Sequence, residues 1–483
     1  MDEAGEKRVR AEGSRGRTSK VDRISDLPES LLCQVLLNLT TKDVVKTSVL
    51  SSRWRNRWKF VPGLDLNGVD IRKYYRYVRF VDRFLDFNSE SHIESFKLSY
   101  PGDGNGETEI DLIRRWINTV VRMEVKYLDF WDYSWSWESG TGTFHIPPSI
   151  YTCKSLVCLK LCDVTMSSLK LVSLPYLRNI ELIRVEFADN LGLETLITGC
   201  TALERLLIKT SSSDRIEVLR VRSQSLLSFT YVEEKGSTKE DLVVVLDALR
   251  LEYLNLSDHQ TACFIIKNPG SLVSVDINIV FNLFSTKLHY GRYVTKSRFH
   301  ERFDPSDLPK RYMIRNFLEG ISCVKNMIIS SITLAVIYGY SRCEPLPLFH
   351  NLSSLCVEFY DFGWEMLPTF LLSYPNLKSL VLASTKYPEN EGITPTKYPE
   401  NEGISLISGP RCFLSSLEYV DIERPLKGEA MEMKLVSYLL ENSTVLKKLT
   451  LCLDDSIKKE ESVIFKELLT IPRLSSACQV VVG

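Results

Sequence analysis

Twelve cysteines and six histidines are the residues of this 483-residue chain best suited to bind metal or act as nucleophiles. Their spacing argues against both uses. No Cys-x-x-Cys pair occurs. The densest group, Cys153, Cys158 and Cys162, lacks the tight, repeated ligand pairs of zinc sites. Cys158 and Cys162 flank the apolar run Leu159–Leu161 and read as small apolar fillers. There is no His-Glu-x-x-His, no Gly-x-x-x-x-Gly-Lys phosphate loop and no Gly-x-Ser-x-Gly elbow. Gly102, Gly104 and Gly106 alternate without the strand-then-helix setting of a dinucleotide site, so they read as a turn-rich loop. No catalytic residue, metal or cofactor is expected. The chemistry left to this chain is recognition.

Two groups of residues fit that role. The first lies in residues 22–60, where three short helical patterns crowd into about forty positions. Asp26 suits an N-cap and Pro28 an early helical position. Leu31, Leu32, Val35, Leu36 and Leu39 then read as one apolar helix face. Thr41 suits the cap of a second helix, with Val44, Val45, Ser48 and Val49 on its face. Ser51 or Ser52 suits the cap of a third, carrying Trp54 and Trp58 one turn apart and Arg53, Arg55 and Arg57 around them. So short a unit rarely sustains a fold alone, and aromatic, Arg-rich surfaces are typical of interface hot spots. Something else must cover part of it.

The second group belongs to a repeat. Apolar residues recur at positions 1, 4 and 6 in Leu156-Leu159-Leu161, Leu177-Ile180-Leu182, Leu203-Leu206-Ile208, Leu226-Phe229-Tyr231, Leu251-Leu254-Leu256 and Leu272-Val275-Ile277, spaced 21, 26, 23, 25 and 21 residues apart. Leu352, Leu377, Leu417 and Leu446 start four more, and Ile93, Val125 and Val324 start weaker ones. This period fits leucine-rich repeats and not the longer helical repeats. One such strand cannot bury its apolar face alone, whereas stacked strands share a core in a curved parallel sheet. Several units lack the asparagine expected after the strand, so the convex side should be irregular loops and short helices, with Asp241–Arg250 one such helix.

By alternation, the residues flanking the sixth position should face a target on the concave side. They include Asp129 and Trp131, Lys160 and Cys162, Glu181 and Ile183, Asn255 and Ser257, Asp276 and Asn278, Cys356 and Glu358, and Asp421 and Glu423. Their chemistry is mixed and mildly acidic. Trp131, Tyr133, Trp135 and Trp137 form an aromatic cluster that suits either a partner anchor or packing against a neighbouring loop.

Residues 24–32 (ISDLPESLL) and 47–58 (TSVLSSRWRNRW) together resemble the F-box of plant F-box proteins. The run 144–156 (FHIPPSIYTCKSL) resembles the lead into that family's repeats. The stretch from Cys412-Phe413 through 431–442 (MEMKLVSYLLEN) to 472–478 (PRLSSAC) resembles its FBD domain. After a basic tail over 1–20, read from composition, the resemblance implies an α/β chain: an F-box over 21–67, an irregular leucine-rich-repeat solenoid over 68–409, and an FBD domain over 410–483. It also implies that the F-box binds a Skp-type adaptor, and through it a cullin, using Leu27, Pro28, Leu31, Leu32, Val44, Val45, Val49, Leu50 and Trp54. The repeats would then hold a protein target for ubiquitination by a conjugating enzyme that the complex recruits. The alternative is a scaffold that binds the adaptor without promoting ubiquitination.

Two stretches depart from the repeat. Residues 283–315 are rich in Lys and Arg, which fits a solvated insertion or a partner loop. The motif TKYPENEGI at 385–393 recurs at 396–404 and reads as a tandem insertion in an exposed loop. The net charge of −1 provides no global field to attract nucleic acid or an anionic membrane, and no apolar run reaches membrane-spanning length. The polar tail reads as solvated and disordered, and its basic residues also suit nuclear import. With scattered cysteines and no secretory signal, nucleus or cytoplasm is the expected compartment.

Overall fold

The structure is a computed structural model that describes residues 24, 26–66, 74–87, 93–100, 107–132, 144–167, 169–189, 191–210, 217–233, 242–258, 261–282, 304, 306–359, 367–384, 414–454 and 461–483. The tail 1–20, Tyr133, Trp135 and Trp137, the three alternating glycines and both copies of TKYPENEGI lie outside the described residues.

The chain begins with helices α1 (Glu29–Leu37) and α2 (Thr41–Lys46) and 3-10 turns at Thr47–Val49 and Arg57–Phe60. Three local expectations are corrected. The helix α1 starts after Pro28, whose carbonyl accepts from Leu31 and Leu32 N–H, so Asp26 lies too early to cap it. Thr40 and not Thr41 caps α2, its side chain accepting from Asp43 N at 3.3 Å. Trp54 and Trp58 stand on turns and a 3-10 segment in place of a third α-helix.

Next come β1 (Gly63–Leu66), α3 (Tyr74–Phe87), β2 (Ser95–Tyr100), α4 (Glu107–Arg122), β3 (Tyr127–Asp132) and β4 (Phe144–Ile146). The chain continues through β5 (Cys158–Cys162), β6 (Val164–Met166), β7 (Asn179–Ile183), β8 (Glu186–Phe187), α5 (Gly192–Thr198) and β9 (Arg205–Thr210). Then follow β10 (Val218–Ser223), β11 (Ser228–Glu233), β12 (Val243–Ala248), β13 (Tyr253–Asp258), β14 (Cys263–Lys267) and β15 (Ser274–Ile279). The remainder is α6 (Leu308–Gly320), β16 (Asn326–Ile329), α7 (Ser331–Ser341), β17 (Ser354–Phe359), α8 (Leu367–Leu371) and β18 (Ser379–Ser384). Last are β19 (Tyr419–Leu426), α9 (Ala430–Asn442), β20 (Lys448–Leu453), α10 (Glu461–Thr470) and β21 (Gln479–Val482).

Fifteen of these strands form one parallel sheet in the order β1-β2-β3-β5-β7-β9-β11-β13-β15-β16-β17-β18-β19-β20-β21. Every match to the repeat template lies on it, the three weaker ones included, as β2, β3 and β16. Register explains why the fourth and sixth positions must be apolar. Leu128, Leu159, Ile180, Leu206, Phe229, Leu254 and Val275 fall in one row, strand beside strand, all buried. Each side chain completes the burial of its neighbour, as stacked repeats require.

The layer beneath the sheet departs from expectation. Asp241 lies outside the described residues, and residues 242–250 do not form the expected helix. Val243–Ala248 is a strand, paired in parallel with β10 on one side and β14 on the other. Three consecutive valines favour extended backbone, and Leu242, Val244, Leu246 and Ala248 alternate inward. A second small sheet is β4-β6-β8. The expected loops and short helices are therefore replaced in part by sheet. Tyr231 of the main sheet meets Phe264 of β14 at 6.4 Å between ring centroids, and Phe264 meets Phe317 of α6 at 6.0 Å.

Within 283–315, the stretch from Leu308 belongs to α6, with Asp307 accepting from Lys310 N at 3.1 Å. Arg311 there pairs with Glu344 and Arg315 with Glu319. Lys287, Arg292, Lys296, Arg298 and Arg302 lie outside the described residues. The helix expected at 431–442 is α9. Buried Glu432 accepts from Lys427 N and Glu429 N at 2.8 and 3.0 Å, closing a capping box. Gly428 before it has φ +78°, and a Cβ there would stand 2.8 Å from Ile464 of α10.

Candidate docking surfaces

The N-terminal helical unit has a core of its own. Leu32, Leu36, Val44, Trp54 and Val61 are buried together, with Leu27, Leu37 and Trp58 packed around them. Arg57 bonds Glu29 at 2.5 Å and holds its carboxyl below the usual range, while Arg53 donates to Leu27 O at 2.6 Å. These contacts clasp the third segment to the start of α1. They also divide the expected apolar face in two. Leu32 and Leu36 point inward, whereas Leu31 and Val35, one residue before each, point out. Leu31 is 44% exposed, Val49 86% and Leu50 66%, with Ile24 and Phe60 also open.

Of the nine expected contact residues, Leu32, Val44 and Trp54 are therefore interior. They shape the surface without presenting it, because a forty-residue unit needs its largest side chains for its own core. Leu27 and Val45 are half-buried, and Pro28, Leu31, Val49 and Leu50 are exposed.

This unit is joined directly to the sheet. The Thr41 hydroxyl accepts from Asp65 N, and Gly63 admits close approach, since a Cβ there would stand 3.2 Å from Leu37 and 3.3 Å from Ser95.

The open face of the main sheet carries the second group. Asp65, Lys97, Asp129, Lys160 and Glu181 lie in one register row on five successive strands, alternating in sign. Lys97 reaches Asp65 at 3.4 Å and Lys160 reaches Glu181 at 2.8 Å. Lys160 also lies 5.2 Å from the Trp131 ring centroid, and Trp131 Nε1 donates to Asp129 Oδ1 at 2.6 Å. Burial acts to lower Lys160, but Glu181 and Asp129 outweigh it and hold the ammonium above its usual range.

The same row continues through Asn255, Asp276, Cys356 and Asp421, where no alternation survives. Asn255 donates to Asp276 at 3.0 Å. Burial pushes the Asp276 carboxyl up. Burial and the charge of Asp276 push up Glu358, which lies two residues beyond Cys356 on β17. The Cys356 thiol is pushed up to about 11 by burial and by the nearby carboxylates, the opposite of a nucleophile's environment. Cys162, expected on this face, is buried, because Arg184 Nη2 lies 3.3 Å from its Sγ and bonds Asp163 beside it. Among the described residues no group of His, Cys, Asp and Glu is arranged to hold a metal ion, and no helix is long and apolar enough to cross a membrane.

Residues 24–64 match the family model of the F-box domain, and residues 406–451 that of FBD. Residues 113–275 match the model described as FBD-associated F-box protein At5g56370, LRR repeats. The chain is 60% identical over 485 residues to F-box/LRR-repeat protein 13 of Arabidopsis thaliana. It is 58% identical over 490 residues to F-box/FBD/LRR-repeat protein At1g78750 of the same plant, and both alignments cover 100% of each chain. It belongs to the F-box/FBD/leucine-rich-repeat family.

In this F-box/FBD/leucine-rich-repeat protein the junction holds the strand that sequence reasoning missed. Val61, Leu64 and Leu66 satisfy the 1-4-6 template, yet β1 falls within residues 21–67, read as F-box. The repeat sheet and the F-box thus share a boundary inside that span. The eight expected target-facing residues, Asp129, Trp131, Lys160, Glu181, Asn255, Asp276, Glu358 and Asp421, all lie on the open face at intermediate exposure. Val35, Ile24 and Phe60 were missed as surface residues. The signal was the paired spacing Leu31/Val35 beside Leu32/Leu36, which describes two helix faces and not one.

Proposed function

We propose that this chain is the substrate-recognition subunit of a Skp–cullin–F-box ubiquitin ligase, acting in the nucleus or cytoplasm. The F-box binds a Skp-type adaptor, which brings a cullin, and the open sheet face holds a protein target. The observation that carries this reading is the apolar surface of Leu31, Val35, Val49 and Leu50, which the F-box leaves outside its own core. Exposed aliphatic residues on a small, supported unit are the raw material of an interface hot spot.

The chain's contribution is positional. Holding a target lysine beside an activated carbonyl raises effective concentration by orders of magnitude without a catalytic residue of its own. Reconstitution tests the reading. The full chain, a Skp-type adaptor and a cullin should co-elute as one complex, and targets should accumulate only when the proteasome is blocked. A complex that forms with the adaptor but never contains the cullin overturns the ligase role and leaves a scaffold.

A further inference from the structure

We infer that the outer face of the side sheet β10-β12-β14 is a second docking surface, and that its occupant is an acidic segment carrying apolar residues. It lies under the main sheet, away from the open face, and does not depend on the ligase reading.

The inference starts from β12. Val243, Val244, Val245 and Leu246 form a run that is apolar on both faces, the pattern of a strand covered on both sides. One face is covered, with Val244 and Leu246 buried beside Leu219, Val221 and Phe264. The other is not. Val243 and Val245 are half-buried, Val218 beside them likewise, and Ile265 is 39% exposed. Register sets these side chains in rows: Val218 beside Val243, and Arg220 beside Val245 beside Ile265. The next row is Arg222, Asp247 and Lys267.

Charge decides the occupant. Arg220, Arg222 and Lys267 are exposed, and Asp247 is the acidic residue on these rows. Arg222 Nε lies 3.4 Å from Asp247, and Asn268 donates to the same carboxylate at 3.3 Å. Among the described residues no carboxylate pairs with Arg220 or Lys267. A plain apolar partner would strand these cations at its rim, and a basic one would repel them. Rows two residues apart stand about 6.6 Å apart along a strand. An extended segment with an acidic residue two positions from an apolar one therefore matches both rows at once.

The test is fluorescence anisotropy on the purified full chain. One labelled peptide alternates Glu or Asp with Leu or Val, and a second carries Lys at every acidic position. The acidic peptide should bind at least about tenfold more tightly at low salt, and the margin should shrink as salt rises. The Arg220→Glu/Lys267→Glu variant should lose that preference with its melting temperature unchanged, and Val245→Ser should weaken binding. Asp276→Asn on the open face should leave binding as it was. Equal binding of both peptides overturns the inference, as does binding lost only in the open-face variant. Sedimentation showing a dimer that Arg220→Glu/Lys267→Glu abolishes would also overturn it, making the occupant a second copy of the chain.

Discussion

The Thr41 hydroxyl accepts a hydrogen bond from the backbone N–H of Asp65 at 2.7 Å. β1 is one of the two edge strands of the main sheet, so this side chain of α2 satisfies an edge donor that no further strand among the described residues meets. Thr41 is buried. Thr41→Val keeps the shape and removes the acceptor, at a cost of about 1–3 kcal/mol. The Asp65 amide should exchange faster with deuterium, and Thr41→Ser should restore protection. Unaltered exchange in Thr41→Val would show that the F-box is held to the sheet by packing alone.

Interior and surface residues of the F-box should separate in experiment. Leu32→Ala empties a buried site and should destabilise the unit by about 2–5 kcal/mol, lowering adaptor binding only as the F-box unfolds. Val49→Asp changes a side chain that touches little of its own molecule, so stability should move by no more than about 0.5 kcal/mol. Adaptor affinity should nevertheless fall by about tenfold or more, since a charge then meets an apolar pocket. Calorimetry on each variant, with and without adaptor, checks the split. Wild-type affinity in Val49→Asp would remove this surface from the interface.

The repeat was legible because its signal is local. The fourth and sixth positions, Leu159 and Leu161 in the unit that starts at Leu156, are apolar and two apart in each unit of the pattern, and burial in a stacked sheet demands that spacing. β1 was hidden because Val61, Leu64 and Leu66 follow the helical unit without a break in composition. β12 was misread because periodicity cannot tell a strand apolar on both faces from a short buried helix. The placement of Leu32 inside and Leu31 outside depends on Trp54 and Val61 closing over one side of α1, a contact across some twenty to thirty residues. Spacing reports that a face is apolar. It does not report which molecule covers it.

Acidity of the open face gives a pH dependence of known sign. Burial raises Asp276, and burial with the charge of Asp276 raises Glu358. Carboxyls that bind protons more tightly folded than unfolded favour the fold in acid. Their contribution falls as pH rises from the unfolded value near 4 through the raised folded values. Above that range both are ionised in either state and the penalty is complete. Asp276→Asn/Glu358→Gln should therefore raise the melting temperature at pH 7 and have little effect near pH 3. Melting curves across that range check it, and a variant less stable at pH 7 would mean that Asn255 supports Asp276 more than burial penalises it.

Asp163 and Arg184 follow successive sheet strands, β5 and β7, and both take left-handed backbone, with φ of 57° and 50°. Their side chains pair through two bonds of 2.5 and 2.6 Å, over the Cys162 thiol. Both partners are largely shielded from solvent, so removing one leaves the other's charge stranded. Arg184→Met should cost about 3–5 kcal/mol. Asp163→Asn, which tolerates the left-handed backbone, should cost less. If the pair acts as a unit, the double variant should recover about 1–3 kcal/mol relative to the sum of the singles. Arg184→Met should also open Cys162 to maleimide, read by peptide mapping, because the guanidinium no longer lies against its sulfur. Strict additivity together with an unreactive Cys162 would show that the neighbouring strands bury the thiol without help from this ion pair.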